Sequence, residues 1–219
     1  QQATSSKTSK PWGKIMFNNL LNQTVNAYTS FWMRKYQTYP STNTAILLVN
    51  VQQALMEGQT DLKRELQRLL VLAKKNNFLV VHAPFGGSAQ TFPSPAQQKL
   101  TKLIEGMDEG IKKPDELTLK KGDISLEPRH TLSAFNSTEL DAHLKSRNIE
   151  HLIAVGPYAN LSLDSTIRDG VQLGYHLTTL NECVSTERDE ELKAFKVSIP
   201  RYAQTVINLS KLESIVQKS

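Results

Sequence analysis

The sequence predicts an α/β fold: a three-layer, Rossmann-like sandwich around a mostly parallel sheet of about six strands, with an N-terminal helical extension. Three observations carry that expectation. Short apolar runs of strand length alternate with amphipathic stretches of helical spacing from Thr42 onward. The first run, Ala45-Ile-Leu-Leu-Val49, is apolar at every position, as a central parallel strand covered on both faces must be. The chain's 219 residues, 39% hydrophobic and 21% charged, suffice for one well-buried domain with a tail to spare.

Each element has its own signal. Thr60 to Lys75 places Leu62, Leu66, Leu69, Leu70 and Ala73 on one helical face, with Thr60 or Asp61 available as a cap. Phe78 to Val81 is the second strand, and a short helix from Ala96 follows Pro93 to Pro95. Gly122-Asp123 turns the chain into a third strand, Ile124 to Leu126, and Thr138 to Arg147 is helical. Leu152 to Val155 forms the fourth strand, followed by a helix from about Leu161 to Leu173 that Gly174 terminates. Tyr175 to Leu180, a helix over Asp189 to Val197, the short strand Thr205 to Ile207 and a final helix complete the alternation.

Residues 1–41 read as a separate disordered or helical extension, and 42–219 as the α/β domain. Gln1 to Lys10 is polar and rich in Ser, Thr and Lys. Trp12, Phe17, Tyr28, Phe31, Trp32, Tyr36 and Tyr39 then make the next stretch too aromatic for a linker. That stretch implies a helix packed on the domain or on a second subunit, or a docking surface for another protein across residues 12–40.

Composition excludes several classes of function. The net charge of +5 and pI near 9.2 come mainly from residues scattered through amphipathic helices, so nucleic acid is not the expected partner. No apolar run approaches the roughly 18 residues of a membrane span. A single cysteine, Cys183, cannot form an intramolecular disulfide and reads as a small buried residue. The sequons at Asn136, Asn160 and Asn208 lie in regions predicted to be structured, where a glycan would disrupt packing. A cytoplasmic or bacterial periplasmic setting fits. The chain starts at Gln1 rather than methionine, which implies a removed segment.

In open α/β sheets, sites form at the carboxyl ends of the strands. Those ends carry Asn50 to Gln52, Arg129 to Phe135 and Gly156 to Asp164. Leu47-Leu-Val-Asn-Val-Gln52, Arg129-His-Thr-Leu-Ser-Ala-Phe135 with Thr138-Glu-Leu140, the stretch Val155 to Asp169 and Gly174-Tyr-His-Leu-Thr178 together resemble the isochorismatase-like cysteine hydrolases. That family includes amidases such as nicotinamidase, and the resemblance spans Thr42 to roughly Val206. It implies an Asp, a Lys and a nucleophilic Cys at the positions of Asn50, Arg129 and Ser162. It also suggests ligand contacts from Gln52, His130, Phe135 and Tyr158, and assembly as a homo-oligomer, typically a dimer.

All three catalytic positions are changed, each with a chemical consequence. Asn50 cannot accept a proton, so it removes both the amidases' base and the general acid of the isochorismatase branch. Arg129 keeps the charge in a bulkier, forked shape. A serine hydroxyl ionises far less readily than a thiol and needs a strong base beside it. His130 or His82 could supply that base, although an ordinary polar role at a strand end accounts for either. Ser162 also fits a helix cap or first turn, and Asp164 the positive end of the helix dipole. No cofactor and no metal are expected, because Asp141-Ala-His143 falls on a helix where residues two apart diverge. Gly86-Gly87 shows no phosphate-binding pattern, and Pro157 sits where the family often has an unusual peptide bond. The first reading is a family member that has lost its hydrolase chemistry and serves in binding or assembly. The alternative is an active hydrolase of a small amide, ester or vinyl ether with a site rebuilt around Ser162. A third is a module holding a small-molecule or anionic ligand through Arg129.

Overall fold

The computed structural model describes residues 38–86, 94–96, 98, 114 and 117–216. All but Thr38 of these belong to one compact unit, Tyr39–Ser219. The extension expected over residues 1–41, and the docking surface expected over 12–40, fall almost wholly outside the described residues.

Six parallel strands form the sheet: β1 (Thr44–Val49), β2 (Leu79–Ala83), β3 (Ile124–Ser125), β4 (His151–Val155), β5 (His176–Leu180) and β6 (Thr205–Ile207). Their order is β3-β2-β1-β4-β5-β6, so the direction of winding reverses between β1 and β4. Every residue of β1 is buried, as its unbroken apolar run requires. Alternate side chains serve opposite faces. Ala45, Leu47 and Val49 enter one core, while Ile46 and Leu48 enter the other.

The second core is covered by α2 (Thr60–Lys75) and α6 (Leu209–Val216), through Leu62, Leu66, Leu69, Leu212 and Val216. The first is covered by α3 (Leu140–Lys145), α4 (Asp164–Gln172) and α5 (Asp189–Ser198), through Leu140, Leu144, Ile167 and Phe195. The three-layer sandwich follows. The four-residue α1 (Gln53–Met56) leads out of β1.

Several boundaries differ from the sequence expectation. β2 starts one residue later and runs on to Ala83, because His82 is accepted into the buried strand. Neither Thr60 nor Asp61 caps α2; the cap position is Gln59, without a side-chain bond. α3 is shorter than Thr138 to Arg147, and Thr138 stands outside it, accepting the Leu140 N–H on its hydroxyl at 3.2 Å. The helix expected from Leu161 is preceded by a π-helical turn, Ala159–Leu163, and α4 begins only at Asp164. Gly174 ends α4 at φ +94, as expected of a C′ glycine. Tyr39, expected in the extension, is buried against the sheet, with its hydroxyl 3.0 Å from Thr178 Oγ1.

Candidate active site

The direction of winding reverses between β1 and β4; Asn50 follows β1, and Ser162 lies in the turn that follows β4. Asn50 follows β1 directly in the left-handed region at φ 56, a conformation asparagine tolerates better than most residues. Its N–H donates to Ala83 O at 3.1 Å, which locks the end of β1 to β2. Gly156, at φ 142, follows β4, and a Cβ there would lie 2.0 Å from Val49 O. Only glycine lets these two strand ends meet so closely. No peptide bond among the described residues is cis, including that of Pro157.

Arg129 belongs to the segment after β3, which lies alongside Phe85: Gly86 N–H donates to Arg129 O at 2.7 Å and Arg129 N–H to Pro84 O at 3.1 Å. Its side chain turns inward and is 2% exposed. Nη1 donates to Ala83 O at 2.6 Å and Pro84 O at 3.0 Å, and Nη2 to Asn50 Oδ1 at 2.5 Å and Leu132 O at 3.1 Å. These four bonds use all four terminal hydrogens of the guanidinium. Only Nε is left, buried and without a partner. Burial pulls the group's pKa down to about 9, so it remains a cation at neutral pH, held by neutral oxygens alone. Asn50 and Arg129 therefore form a closed brace across β1, β2 and the 129–132 segment.

Gln52, expected to contact ligand, is fully buried and spends its amide on Phe85: Nε2 donates to Phe85 O at 3.0 Å, and Oε1 accepts the Phe85 N–H at 2.7 Å. Phe85 packs with Leu55 and Tyr158 in a small apolar cluster, and the Arg129 guanidinium lies 5.7 Å from the Phe85 ring centroid. Tyr158 is half-buried at φ 54, its phenol pushed to higher pKa by burial and then by the Glu187 and Glu191 carboxylates. Phe135 lies in the hydrophobic core instead, stacked on Tyr175 at 5.5 Å and packed under Gly170. His130 is exposed.

Ser162 is buried inside the π-helical turn, so the cap role does not hold. Its carbonyl accepts the Thr166 hydroxyl at 2.7 Å, and Thr166 Oγ1 in turn accepts the Ala134 N–H at 2.9 Å. That relay ties the turn to the 133–135 segment. The Ser162 hydroxyl makes no hydrogen bond to any described residue. His82, one of its two candidate bases, is already engaged. Nε2 donates to Val51 O at 2.9 Å, and Nδ1 lies 3.3 Å from Ser125 Oγ. Asp164 pairs with Arg168 at 2.7 Å. Asp141 is taken by Lys145 and the Tyr175 hydroxyl, both at 2.7 Å, and no metal-binding cluster of His, Cys, Asp or Glu occurs among the described residues. Cys183 is fully buried, and burial, reinforced by Glu182 and Glu65, pushes its thiol pKa far up.

Sequence reasoning did not single out Ser133 or Thr166, the polar residues that fix the loop facing Ser162. An isolated hydroxyl carries no signal of its own, whether in a helix as at Thr166 or in a loop as at Ser133.

A profile of the isochorismatase domain matches residues 44–209. Over 68 residues the chain is 44% identical to the ureidoacrylate amidohydrolase RutB of Cronobacter sakazakii, covering 31% of this chain and 29% of that protein. The uncharacterized isochorismatase family protein YwoC of Bacillus subtilis is 31% identical over 101 residues, 46% of this chain and 53% of its own length. The match thus spans about three-tenths to half of these curated relatives. Among solved structures, a cysteine hydrolase from Pseudomonas syringae superposes with a TM-score of 0.71 at 18% identity, over 82% of this chain and 96% of that one. N-carbamoylsarcosine amidase from Thermoplasma acidophilum gives 0.63 at 17% identity, over 76% and 95%. At such identities these two superpositions speak for the fold alone.

Proposed function

Because the chain belongs to the isochorismatase family, we propose that it is a member whose hydrolytic site has become a structural brace and which serves in binding or assembly. One observation carries this reading: every terminal guanidinium hydrogen of Arg129 points at a protein oxygen. A lysine at this position would offer a compact ammonium to substrate and partners. The arginine instead closes the crevice floor on itself, and Asn50, its acceptor, has no proton to give or take. The homo-oligomer expected of the family belongs to this reading, with light scattering as its measure.

A second reading, hydrolysis of a small amide or ester, draws on the names of relatives such as ureidoacrylate amidohydrolase and on the uncommitted Ser162 hydroxyl. Of its two candidate bases, His82 has both ring nitrogens against protein atoms and His130 is exposed, so neither is held on the Ser162 hydroxyl by a described hydrogen bond.

A serine-directed fluorophosphonate probe separates the two. The braced site leaves Ser162 unlabelled in the native chain. Labelling that disappears in Ser162→Ala would overturn the proposal in favour of the hydrolase.

A further inference from the structure

The described surface carries a second recess, at the amino-terminal ends of the strands and therefore opposite the family's crevice. It comprises two cavities. The first, of about 370 Å³, is a trough between the outer side of α2 and the segment before β3, with Leu70, Val71, Val80 and Leu119 as its apolar lining. Val71, on the outer side of α2, is 68% exposed and borders this trough. The second, of about 240 Å³, is lined by Lys120, Lys121 and Arg147, with the hydroxyls of Ser41 and Thr42 beside them. Lys120 and Asp123 line both cavities, so the two adjoin there, and Lys74 adds a further cation to the trough.

The charges do not balance within the protein. Asp123 is the one carboxylate in either lining, and both of its oxygens are committed to backbone: Oδ1 to Val80 N–H at 2.9 Å and Oδ2 to Lys120 N–H at 2.8 Å. None of the four cations forms an ion pair with a described carboxylate. Lys120 Nζ donates to the neutral Asn77 Oδ1, and Arg147 Nη1 to the His143 carbonyl, which leaves Arg147 Nη2 and Nε uncommitted among the described residues. Lys120 and Lys121 from one stretch and Arg147 from another bring three like charges onto one concave surface, where they repel. A doubly charged anion relieves that repulsion, and guanidinium and ammonium donors match its oxygens.

We propose that this paired recess binds a small organophosphate, its phosphate among Lys120, Lys121 and Arg147 and its apolar part along Leu70, Val71 and Leu119.

The test titrates octyl phosphate, kept monomeric below its micellar concentration, into the full chain by calorimetry, beside inorganic phosphate and octanol. Octyl phosphate should bind saturably and about tenfold or more tighter than inorganic phosphate, and weaken as salt rises. Octanol should not bind. Lys121→Glu with Arg147→Glu, both at exposed positions, should weaken both phosphates, whereas Val71→Asp should weaken only octyl phosphate. Unchanged thermal transitions keep these variants interpretable. The proposal fails if octyl phosphate binds no tighter than inorganic phosphate, or if the charge reversals leave its affinity intact. It fails equally if the chain is retained only by anionic vesicles and ignores monomeric octyl phosphate.

Discussion

Removing the Arg129 guanidinium tests the brace directly, because its hydrogen bonds state what should be lost. In Arg129→Met, Ala83 O keeps the Asn50 N–H at 3.1 Å, and Pro84 O keeps the N–H of residue 129 itself, also at 3.1 Å. Leu132 O and Asn50 Oδ1 lose the only donor they have among the described residues. An orphaned buried acceptor costs about 1–3 kcal/mol and Leu132 O is only part-buried, so the gross loss is at most about 6 kcal/mol. Some returns, because an unpaired cation no longer has to be desolvated. The net expectation is a destabilisation of about 2–4 kcal/mol, read as a lower urea midpoint at unchanged m-value. Asn50→Gly is the companion variant, since glycine keeps the left-handed backbone at φ 56 while deleting the amide. That change strands an Nη2 hydrogen of Arg129. In the double variant the stranded partners vanish together, so its cost should fall short of the sum of the singles by about 1 kcal/mol or more. Additive costs, or an Arg129→Met chain as stable as the parent, would refute the brace. A binding group held ready for ligand typically costs a protein stability, and its removal would raise the midpoint.

Two further outcomes follow from the fold. His151 is buried between Tyr39 and His176, and burial first, then the His176 charge, lowers its pKa to about 4, with Glu150 opposing. A histidine whose folded pKa lies below its unfolded value of about 6.5 binds its proton more readily when unfolded, so its contribution is intact above pH 6.5 and is lost as pH falls toward 4. Between pH 7.5 and pH 5 this one group should cost about 2 kcal/mol, measured as urea midpoints across that range; His151→Gln should flatten the profile, and an equally steep one would contradict the assignment. Gly156→Ala places a Cβ 2.0 Å from Val49 O at a φ of 142, so β1 and β4 must separate at their ends. A loss of about 3 kcal/mol or more in urea denaturation is expected, and a loss under about 1 kcal/mol would show that the strand ends can part freely.

How far the molecule was legible in its sequence depended on what each signal encodes. The apolar run Ala45 to Val49 gave β1 its place because burial on both faces leaves no room for a polar residue. The same logic cut β2 short at Val81, since a histidine ordinarily marks a strand's end. His82 stays inside because its two nitrogens reach Val51 O and Ser125 Oγ, partners that lie 31 and 43 residues away in the chain. The π-helical turn at Ala159–Leu163 was missed for a different reason. One extra residue per turn shifts the apolar face by less than a short window can resolve. The strand–helix alternation marked the strand ends that carry Asn50, Arg129 and Ser162, yet it could not tell which way a guanidinium points. Gln52 and Phe135 show the same limit. Both sit where ligand contacts were expected, but one clamps Phe85 and the other fills the core against Tyr175.

On the proposed reading, Asn50, Arg129 and Ser162 are better understood as one coupled set than as three independent positions. A carboxylate restored at Asn50 alone would face Nη2 of Arg129 across the present 2.5 Å contact. Its pKa would fall, giving a tightly held counter-ion and a poor base. A cysteine placed at Ser162 alone would sit in the π-helical turn, where His82 already reaches Val51 O and Ser125 Oγ with its two ring nitrogens. Arg129 is therefore the residue that decides what the other two can do. As long as its fork is satisfied by Ala83, Pro84, Leu132 and Asn50, the crevice floor is part of the fold's own hydrogen bonding. On the proposed reading, hydrolysis at this site would have to begin by releasing it, and that release is what the brace makes energetically costly.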